Sequence, residues 1–497
     1  MSYQNSLPES PLGSVSSPSA ASFVQLRGPI KNHWIPSRYN ARATNEDGSL
    51  ILWNTYTGTM NVFKHKDCAN VDKLLRNRHG FVGELKGLAK YLYERGYLVS
   101  KETNEYRRFQ LMAGQQQYRS DIMELILLAS EDCNFRCTYC YEDFPRGTME
   151  PPVRQAIKKY VENKASGLKQ LGIKWFGGEP LYGFRAIEDL GPFFVDIADK
   201  YSIEFASHMT TNGYLLTPDI ADKLLAWKIT DFQITLDGMA EQHDAKRPTR
   251  DGCKTFETIH ANLQSMQKRK DQFGVTIRVN FDQENHGLLE SLLELLEKDF
   301  SRDERFTLRF HTINKWGGPN DDNLTVCGVN EARTATSQLQ KSALDKNLRI
   351  GTLQESTKPG QHVCYAARPY NFIIGADGTL MKCTIVLGSK DYNIVGKIKD
   401  EGEMDLNLDK FALWTEPAFE GDSTCQKCYM LPSCQGMYCP WVRIEKDTQP
   451  CPSTKRNIRR ELLSALEVSE RKTGAREMRD ANGKQIMSVA ESGGTTQ

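Results

Sequence analysis

Three cysteines, Cys133, Cys137 and Cys140, stand in the spacing C-x3-C-x2-C at the end of an apolar run. Three thiolates are one short of the four that complete an ordinary tetrahedral zinc or iron–sulfur site. A four-iron cluster held this way keeps one iron free, and a small molecule with an amine and a carboxylate can chelate it there. Downstream, Gly177-Gly178-Glu179-Pro180 offers two glycines that let the backbone approach a ligand and a carboxylate able to hold an ammonium. Thr210-Thr211-Asn212-Gly213, Gln233 to Gly238 (including Thr235), His243-Asp244, Arg247, and Arg278-Val279-Asn280 follow. Their hydroxyl, guanidinium and carboxamide groups suit an amino-acid carboxylate and a ribose.

Of the 13 cysteines, seven more fall late in the chain: Cys364, Cys383, Cys425, Cys428, Cys434, Cys439 and Cys451. Met1 to Ser22 has neither a basic start nor an apolar core, so it reads as a disordered tail and not a signal peptide. Cysteines in a cytoplasmic chain point to metal more than to disulfides. The Cys425-x2-Cys428 pair is also a zinc signal. Cys68 and Cys253 are expected as small buried apolar residues, and Cys327 is balanced between that role and ligation.

The 497 residues suggest two to four domains. Lys plus Arg number 64 against 63 Asp plus Glu, which provides no global field for nucleic acid or an anionic membrane. The longest apolar runs are far shorter than a bilayer span.

The elements that must position these groups are legible in the patterning. Ser37 to Thr44, Leu50 to Trp53 and Thr59 to Phe63 read as strands, and Glu84 to Tyr97 as a helix ending at Gly96. That combination predicts a winged-helix module over 32–115, used for DNA, for capture of a peptide as an added strand, or as a cap on the next domain. From Glu124, strands centred near Ile126, Lys174, Phe205, Ile234, Ile277 and Leu308 alternate with amphipathic stretches at Val153–Leu168, Thr217–Trp227, Thr255–Lys268 and Gly287–Asp299. Six βα units predict an α/β fold, a parallel sheet curled into an open (βα)6 barrel over 116–329, with chemistry at the strands' C-terminal ends. The cysteine-rich segment, 330–460, has a thin apolar core that needs metal. A tail is expected over 1–31, and a helix with a disordered end over 461–497.

Cys133 to Cys140 with Tyr141-Glu142, Gly177 to Pro180, Thr211 to Gly213, Leu236-Asp237-Gly238, His243-Asp244 and Arg247 together resemble the radical S-adenosylmethionine (SAM) superfamily. More narrowly, they resemble its peptide-modifying members with a C-terminal SPASM domain. The resemblance implies that Cys133, Cys137 and Cys140 bind a reducible [4Fe-4S] cluster. It also implies that Gly177, Gly178 and Glu179 hold the SAM amino group, that Thr235 and Arg247 take its carboxylate, and that Tyr139 lies by the adenine. In the family, SAM is cleaved to a 5′-deoxyadenosyl radical that abstracts a substrate hydrogen. Cys364-x13-Gly378-x4-Cys383, Cys425-x2-Cys428-x5-Cys434 and Cys451 match the SPASM pattern, with one extra residue between Cys434 and Cys439 absorbed as a bulge by Gly436. The resemblance then assigns Cys425, Cys428, Cys434 and Cys451 to one auxiliary [4Fe-4S] cluster, and Cys364, Cys383 and Cys439 to another. The second lacks an evident fourth ligand: Cys327 supplies it, or the site is open to a substrate thiolate.

Arg38-Tyr39-Asn40 through Gly58 resembles the peptide-recognition domain of such maturases. The implied function is maturation of a ribosomally made precursor peptide, bound through its leader, by a thioether or carbon–carbon crosslink. Electrons would come from a donor such as flavodoxin or ferredoxin. No nucleic-acid or membrane partner is expected. Two alternatives stand beside this: an anaerobic sulfatase-maturing-type dehydrogenase and an iron–sulfur winged-helix regulator. Thr384 after Cys383 counts against the former, because an Asp serves there as base in the sulfatase-maturing branch.

Overall fold

A computed structural model describes residues 32–64, 66–351, 357–389 and 391–473, so the tails expected before Asn32 and after Thr473 lie outside the described residues. The chain divides into two compact units. One comprises Met1–Tyr118, Thr352–Arg368 and Thr415–Gln497; the other comprises Arg119–Gly351 and Pro369–Trp414.

The first unit begins with β1 (His33–Pro36), β2 (Asn40–Thr44), β3 (Leu50–Asn54), β4 (Met60–Phe63), α1 (Lys66–Arg76), β5 (Phe81–Val82), α2 (Gly87–Glu94), β6 (Leu98–Ser100) and α3 (Glu105–Gln117). Two three-stranded antiparallel sheets result, β2-β3-β4 and β5-β1-β6. The strand expected from Ser37 starts only at Asn40. Glu105, opening α3, accepts from Ser37 Oγ (2.5 Å) and Arg38 N (2.9 Å) and holds that stretch in a turn. The β3–β4 turn forms because the Asn54 side-chain oxygen accepts from Tyr56 N (3.0 Å) and Thr57 N (2.9 Å), with Gly58 at φ +75°.

All five residues of β3 are buried, since its sheet is covered on both faces. Leu50, Leu52 and Phe63 pack on Val71, Leu92 and Tyr97. Ala41, Ala43, Ile51 and Trp53 pack on Met430, Leu462, Ala465 and Leu466, the last three from the helix Ile458–Thr473. The unit thus gathers elements of both the expected 32–115 module and the expected 330–460 domain around shared cores.

The second unit alternates β7 (Ile122–Ser130), α4 (Pro151–Ala165), β8 (Gln170–Gly177), α5 (Phe184–Tyr201), β9 (Glu204–Thr211), α6 (Pro218–Ala226), β10 (Ile229–Thr235), α7 (Ala240–Lys246), α8 (Phe256–Gln267), β11 (Gly274–Phe281), α9 (Glu290–Phe300), β12 (Phe306–Thr312) and α10 (Val329–Asp345). Each expected strand centre falls inside its strand. Strands β7 to β12 pair in parallel, in sequence order. The sheet does not close: β12 ends it, and β7 pairs instead with β13 (Asn371–Ile374). An open barrel leaves β7 a row of unpaired backbone groups, and β13 satisfies them. Strands β14 (Thr379–Met381), β15 (Ile394–Ile398) and β16 (Met404–Leu406) continue it antiparallel. Four strands of the expected cysteine-rich domain therefore extend the barrel sheet.

Trp175 and Phe205 meet Phe194 of α5, with ring centres 6.3 and 6.5 Å apart. These strand positions face the helices, so the alternating positions Lys174 and His208 face the concave side.

Candidate active site

The chemistry-bearing groups of the second unit collect at the C-terminal ends of β7 to β11. The cysteine loop after β7 is laced to the chain after α7: Arg136 N donates to Pro248 O (2.9 Å), Thr138 N to Lys246 O (2.9 Å), and Arg250 N to Asn134 O (2.8 Å). This lacing carries Arg247 to the three thiols. Cys133 is buried, while Cys137 and Cys140 are half-buried. Burial, then the nearby Glu179 charge, pushes the Cys133 thiol up, with Cys137 and Cys140 adding to it. Burial, Glu142 and Cys137 push Cys140 up to about 12. The three thiols thus lie within electrostatic reach of one another, and each must release a proton to bind metal. Among the described residues, no three His, Cys, Asp or Glu groups converge as tightly as the ligands of a single metal ion. A four-iron cube spaces its thiolates farther apart.

Gly177 and Gly178 clear the backbone of that loop. Gly177 has φ +120°, and a Cβ there would lie 2.2 Å from Ser130 O; one on Gly178 would lie 2.6 Å from Asp132 O. The amides of Gly178 and Glu179 donate to Ser130 O and Asp132 O, both at 3.1 Å. Glu179 is fully buried and accepts from Leu181 N (2.9 Å), Thr211 Oγ1 (2.7 Å) and Asn212 N (2.6 Å). Burial raises its carboxyl to about 7 against the pull of those donors.

Across the mouth, the Tyr139 hydroxyl donates to Asp237 Oδ2 and accepts from Arg247 Nη1 (2.6 Å) and Asn280 Nδ2 (3.2 Å). Asp237 also accepts from Asn280 N (2.8 Å). Arg247 is buried, with its Nε unpartnered, and Thr235 is buried at the end of β10. His243 Nδ1 accepts from Asp237 N (3.2 Å), leaving its buried Nε2 unpartnered.

Sequence reading named Asp237 without giving it a role. Its central place depends on partners 98 and 43 residues away, Tyr139 and Asn280, which no local pattern links. Glu131 likewise carries no local mark of its role. Buried at the head of the cysteine loop, it binds Arg146 Nη1 (2.5 Å) and Ala376 N (2.9 Å), tying the loop to the β13–β14 turn.

In the first unit Cys425, Cys434 and Cys451 lie within electrostatic reach of one another, and Cys428 within reach of Cys434. Cys425 is raised to about 12 by burial, Asp422, Cys434 and Cys451. Cys434 is raised likewise, chiefly by burial, with Cys428 and Cys451 contributing. The Lys455 ammonium donates to Cys451 Sγ (3.3 Å). Between Cys434 and Cys439, Gln435 and Gly436 both take positive φ, and Cys364 N donates to Met437 O (2.9 Å), two residues before Cys439. Cys383 lies in the second unit, buried, its amide donating to Asn393 Oδ1 (2.8 Å). Cys327 is half-buried in that unit; burial, Glu331 and Asp282 raise its thiol. Contrary to expectation, Cys253 is exposed, because it closes a surface turn with Thr249. Cys68 is half-buried and donates to Phe63 O (2.9 Å).

An open parallel barrel with three thiols beyond its first strand defines a class, and residues 127–296 match the family model of the Radical SAM superfamily. The chain is 23% identical over 288 residues to the radical SAM cyclopropyl synthase TigE of Paramaledivibacter caminithermalis, covering 51% of this chain and 59% of that protein. It is also 23% identical over 337 residues to the cysteine-type anaerobic sulfatase-maturating enzyme of Clostridium novyi, covering 63% and 86%. The chain spans between 45% and 59% of the length of the first curated relatives it matches. Native anSMEcpe, solved with bound AdoMet and Cp18Cys peptide, shares the fold: TM-score 0.51 at 20% identity, covering 70% of this chain and 97% of that one. Among the described residues, no helix is long and apolar enough to cross a membrane.

Proposed function

We propose that the protein matures a ribosomally made precursor peptide by radical SAM chemistry, forming a thioether or carbon–carbon crosslink. The observation that carries this reading is the gathering of three thiols, Glu179 and Arg247 at one barrel mouth. The residues fit the absent groups: three thiols for a [4Fe-4S] cluster, an acceptor-rich carboxylate for an ammonium, and a buried guanidinium with an orphaned Nε for a carboxylate. When bound, the cluster and SAM supply a 5′-deoxyadenosyl radical that takes a hydrogen atom from the substrate. Glu179 holds the cofactor's amino group, with Thr211 and Asn212 fixing the carboxylate's orientation. Thr235 and Arg247 hold its carboxylate, and Tyr139 is locked beside them by Asp237, Arg247 and Asn280.

Cys425, Cys428, Cys434 and Cys451 would hold one auxiliary cluster, and Cys364, Cys383 and Cys439 a second. Elements 32–115 would bind the leader, and a flavodoxin or ferredoxin would deliver electrons. Anaerobic reconstitution is expected to load about twelve irons if each cysteine group takes a four-iron cluster. Replacing Cys133, Cys137 and Cys140 by Ala should remove about four irons and all SAM cleavage. Stoichiometric zinc with fewer than about eight irons would sink the auxiliary-cluster assignment.

A second reading, a sulfatase-maturing-type dehydrogenase, is favoured by the likeness that covers nearly the whole of anSMEcpe. Thr384, buried after Cys383 where that branch has its basic Asp, weighs against it. Formylglycine formed by the enzyme on a sulfatase-derived peptide would decide for the second reading.

A further inference from the structure

His243 is fully buried on α7 and has no assigned part in holding the cofactor. Its Nδ1 accepts from Asp237 N (3.2 Å), so that nitrogen carries no proton. Burial, with the Arg247 charge adding to it, keeps the ring neutral at pH 7. The proton therefore sits on Nε2, which has no acceptor among the described residues. The ring meets that of Phe256 at 68°, with centres 5.7 Å apart. A buried donor without a partner destabilises the fold, and an apolar side chain of similar size would avoid that. What the imidazole adds is an acceptor for Asp237 N.

That amide lies just past the strand ladder. β10 ends at Thr235, and Leu236 N still donates across to Arg278 O of β11 (2.9 Å). Gly238 follows at φ +146°, where a Cβ would lie 2.8 Å from Gln242 Cβ, so the chain turns straight back onto α7. The oxygens of Asp237 are engaged: O by Asn285 Nδ2 (2.8 Å), Oδ1 by Asn280 N (2.8 Å) and Oδ2 by the Tyr139 hydroxyl. The far end of α7 is braced as well. Asp244 Oδ1 accepts from Thr255 N and Phe256 N, both at 2.9 Å, and Arg247 O accepts from Thr255 Oγ1 (2.8 Å). His243 thus joins the turn bearing Asp237 to the helix whose end bears Arg247. Those two side chains flank the Tyr139 hydroxyl, with Asp237 Oδ2 and Arg247 Nη1 4.0 Å apart.

We propose that His243, as its Nε2-protonated tautomer, is a positioning residue for SAM binding: its Nδ1 fixes the Asp237 amide and so sets the gap between Asp237 and Arg247 in which Tyr139 is held. This rests on the reading of the barrel mouth as the SAM site. His243 acts through Asp237, as an outer partner that orients the groups next to the cofactor.

The full-length protein, reconstituted anaerobically and left unreduced so that no turnover occurs, is titrated with SAM by calorimetry. An Asn side chain can present its oxygen where Nδ1 stands, a Gln places its oxygen near Nε2, and a Leu offers none. His243→Asn should stay within about threefold of the unsubstituted affinity, whereas His243→Gln and His243→Leu should each weaken it about tenfold, the size of one lost hydrogen bond. Added to Tyr139→Phe, His243→Gln should weaken binding by less than about a further twofold, because both changes strike one network. Equal losses in all three variants overturn the proposal and leave the ring a packing role. So do losses that add in full to that of Tyr139→Phe, or an unchanged affinity in the Gln and Leu variants. If His243→Leu does not fold, the Asn and Gln variants decide between these outcomes. No SAM binding by the unsubstituted protein would instead sink the reading of the barrel mouth as the SAM site.

Discussion

At the scale of single residues, the site depends on side chains held against their solution preferences. Tyr139 is a hub: Tyr139→Phe would leave Asp237, Arg247 and Asn280 without their shared hydroxyl, at a cost of about 1–3 kcal/mol. SAM affinity measured by calorimetry on the reconstituted protein should fall about tenfold if that cost appears in binding. An unchanged affinity would mean the hydroxyl plays no part in shaping the cofactor site. Asp231 makes a pH-dependent prediction. Its pKa is pushed up to about 7 by burial, so the fold favours the protonated form. That contribution is present at low pH and is lost as pH rises through about 7. Asp231→Asn should therefore raise the melting temperature by roughly 2 °C or more at pH 8 and by less at pH 5, the effect vanishing only below about pH 4, where the unfolded chain's carboxyl is protonated too. The opposite pH order would refute burial as the cause. The three cysteines and Glu179 were legible in the sequence because their motifs are short. The donors to Glu179 were visible only as neighbours in Thr210-Thr211-Asn212-Gly213, and their geometry needed β8 and β9 side by side.

At the scale of elements, the turn after β8 and the cysteine loop after β7 form one construction. Sequence reading assigned Gly177 and Gly178 to a ligand's close approach. The closest approach in the fold is to the loop's own carbonyls, Ser130 O and Asp132 O. Gly178→Ala should push Asp132 away and so disturb Cys133 next to it. Expected is a loss of about four irons, with the other eight or so retained, read by iron analysis and the electron paramagnetic resonance of the reduced protein. Full loading with normal SAM binding would show that the loop accommodates the methyl group. The six parallel strands were read at their correct places because buried parallel strands are apolar runs with turn signals at their ends. Pairing of β13 with β7 was not legible. Asn371 and Glu124 are 247 residues apart, and a four-residue apolar strand carries no mark of its partner.

At the scale of the molecule, the N-terminal elements are not free to be removed within their unit. Trp53 and Ile51 are fully buried against Met430, Leu462 and Ala465. Deleting residues 1–115 strips this cover from the helix Ile458–Thr473 and from the segment bearing Cys425, Cys428 and Cys434. The truncated chain is expected to lose about four irons besides its peptide binding, and to aggregate through the uncovered apolar face. Trp53→Ala is the milder probe, with an expected cost of about 3–5 kcal/mol by chemical denaturation. A truncated protein that stays monomeric with full iron content would show that the shared core is dispensable.

What the sequence determined by itself was local: the thiol spacing, the glycine–carboxylate turn, the strand and helix periods, and hence the α/β class and the site's main residues. These signals survive in one dimension because they repeat every two to four residues or sit in motifs of a few positions. Tertiary structure alone decided which strand fills the barrel's open edge, which helix covers β3, and how Tyr139, Asp237, Arg247 and Asn280 meet. It also set Arg278 on β11 opposite Arg309 on β12. Each of these is a contact between segments far apart in the chain, chosen by burial and pairing free energy summed over the whole fold, and no window of sequence carries that sum.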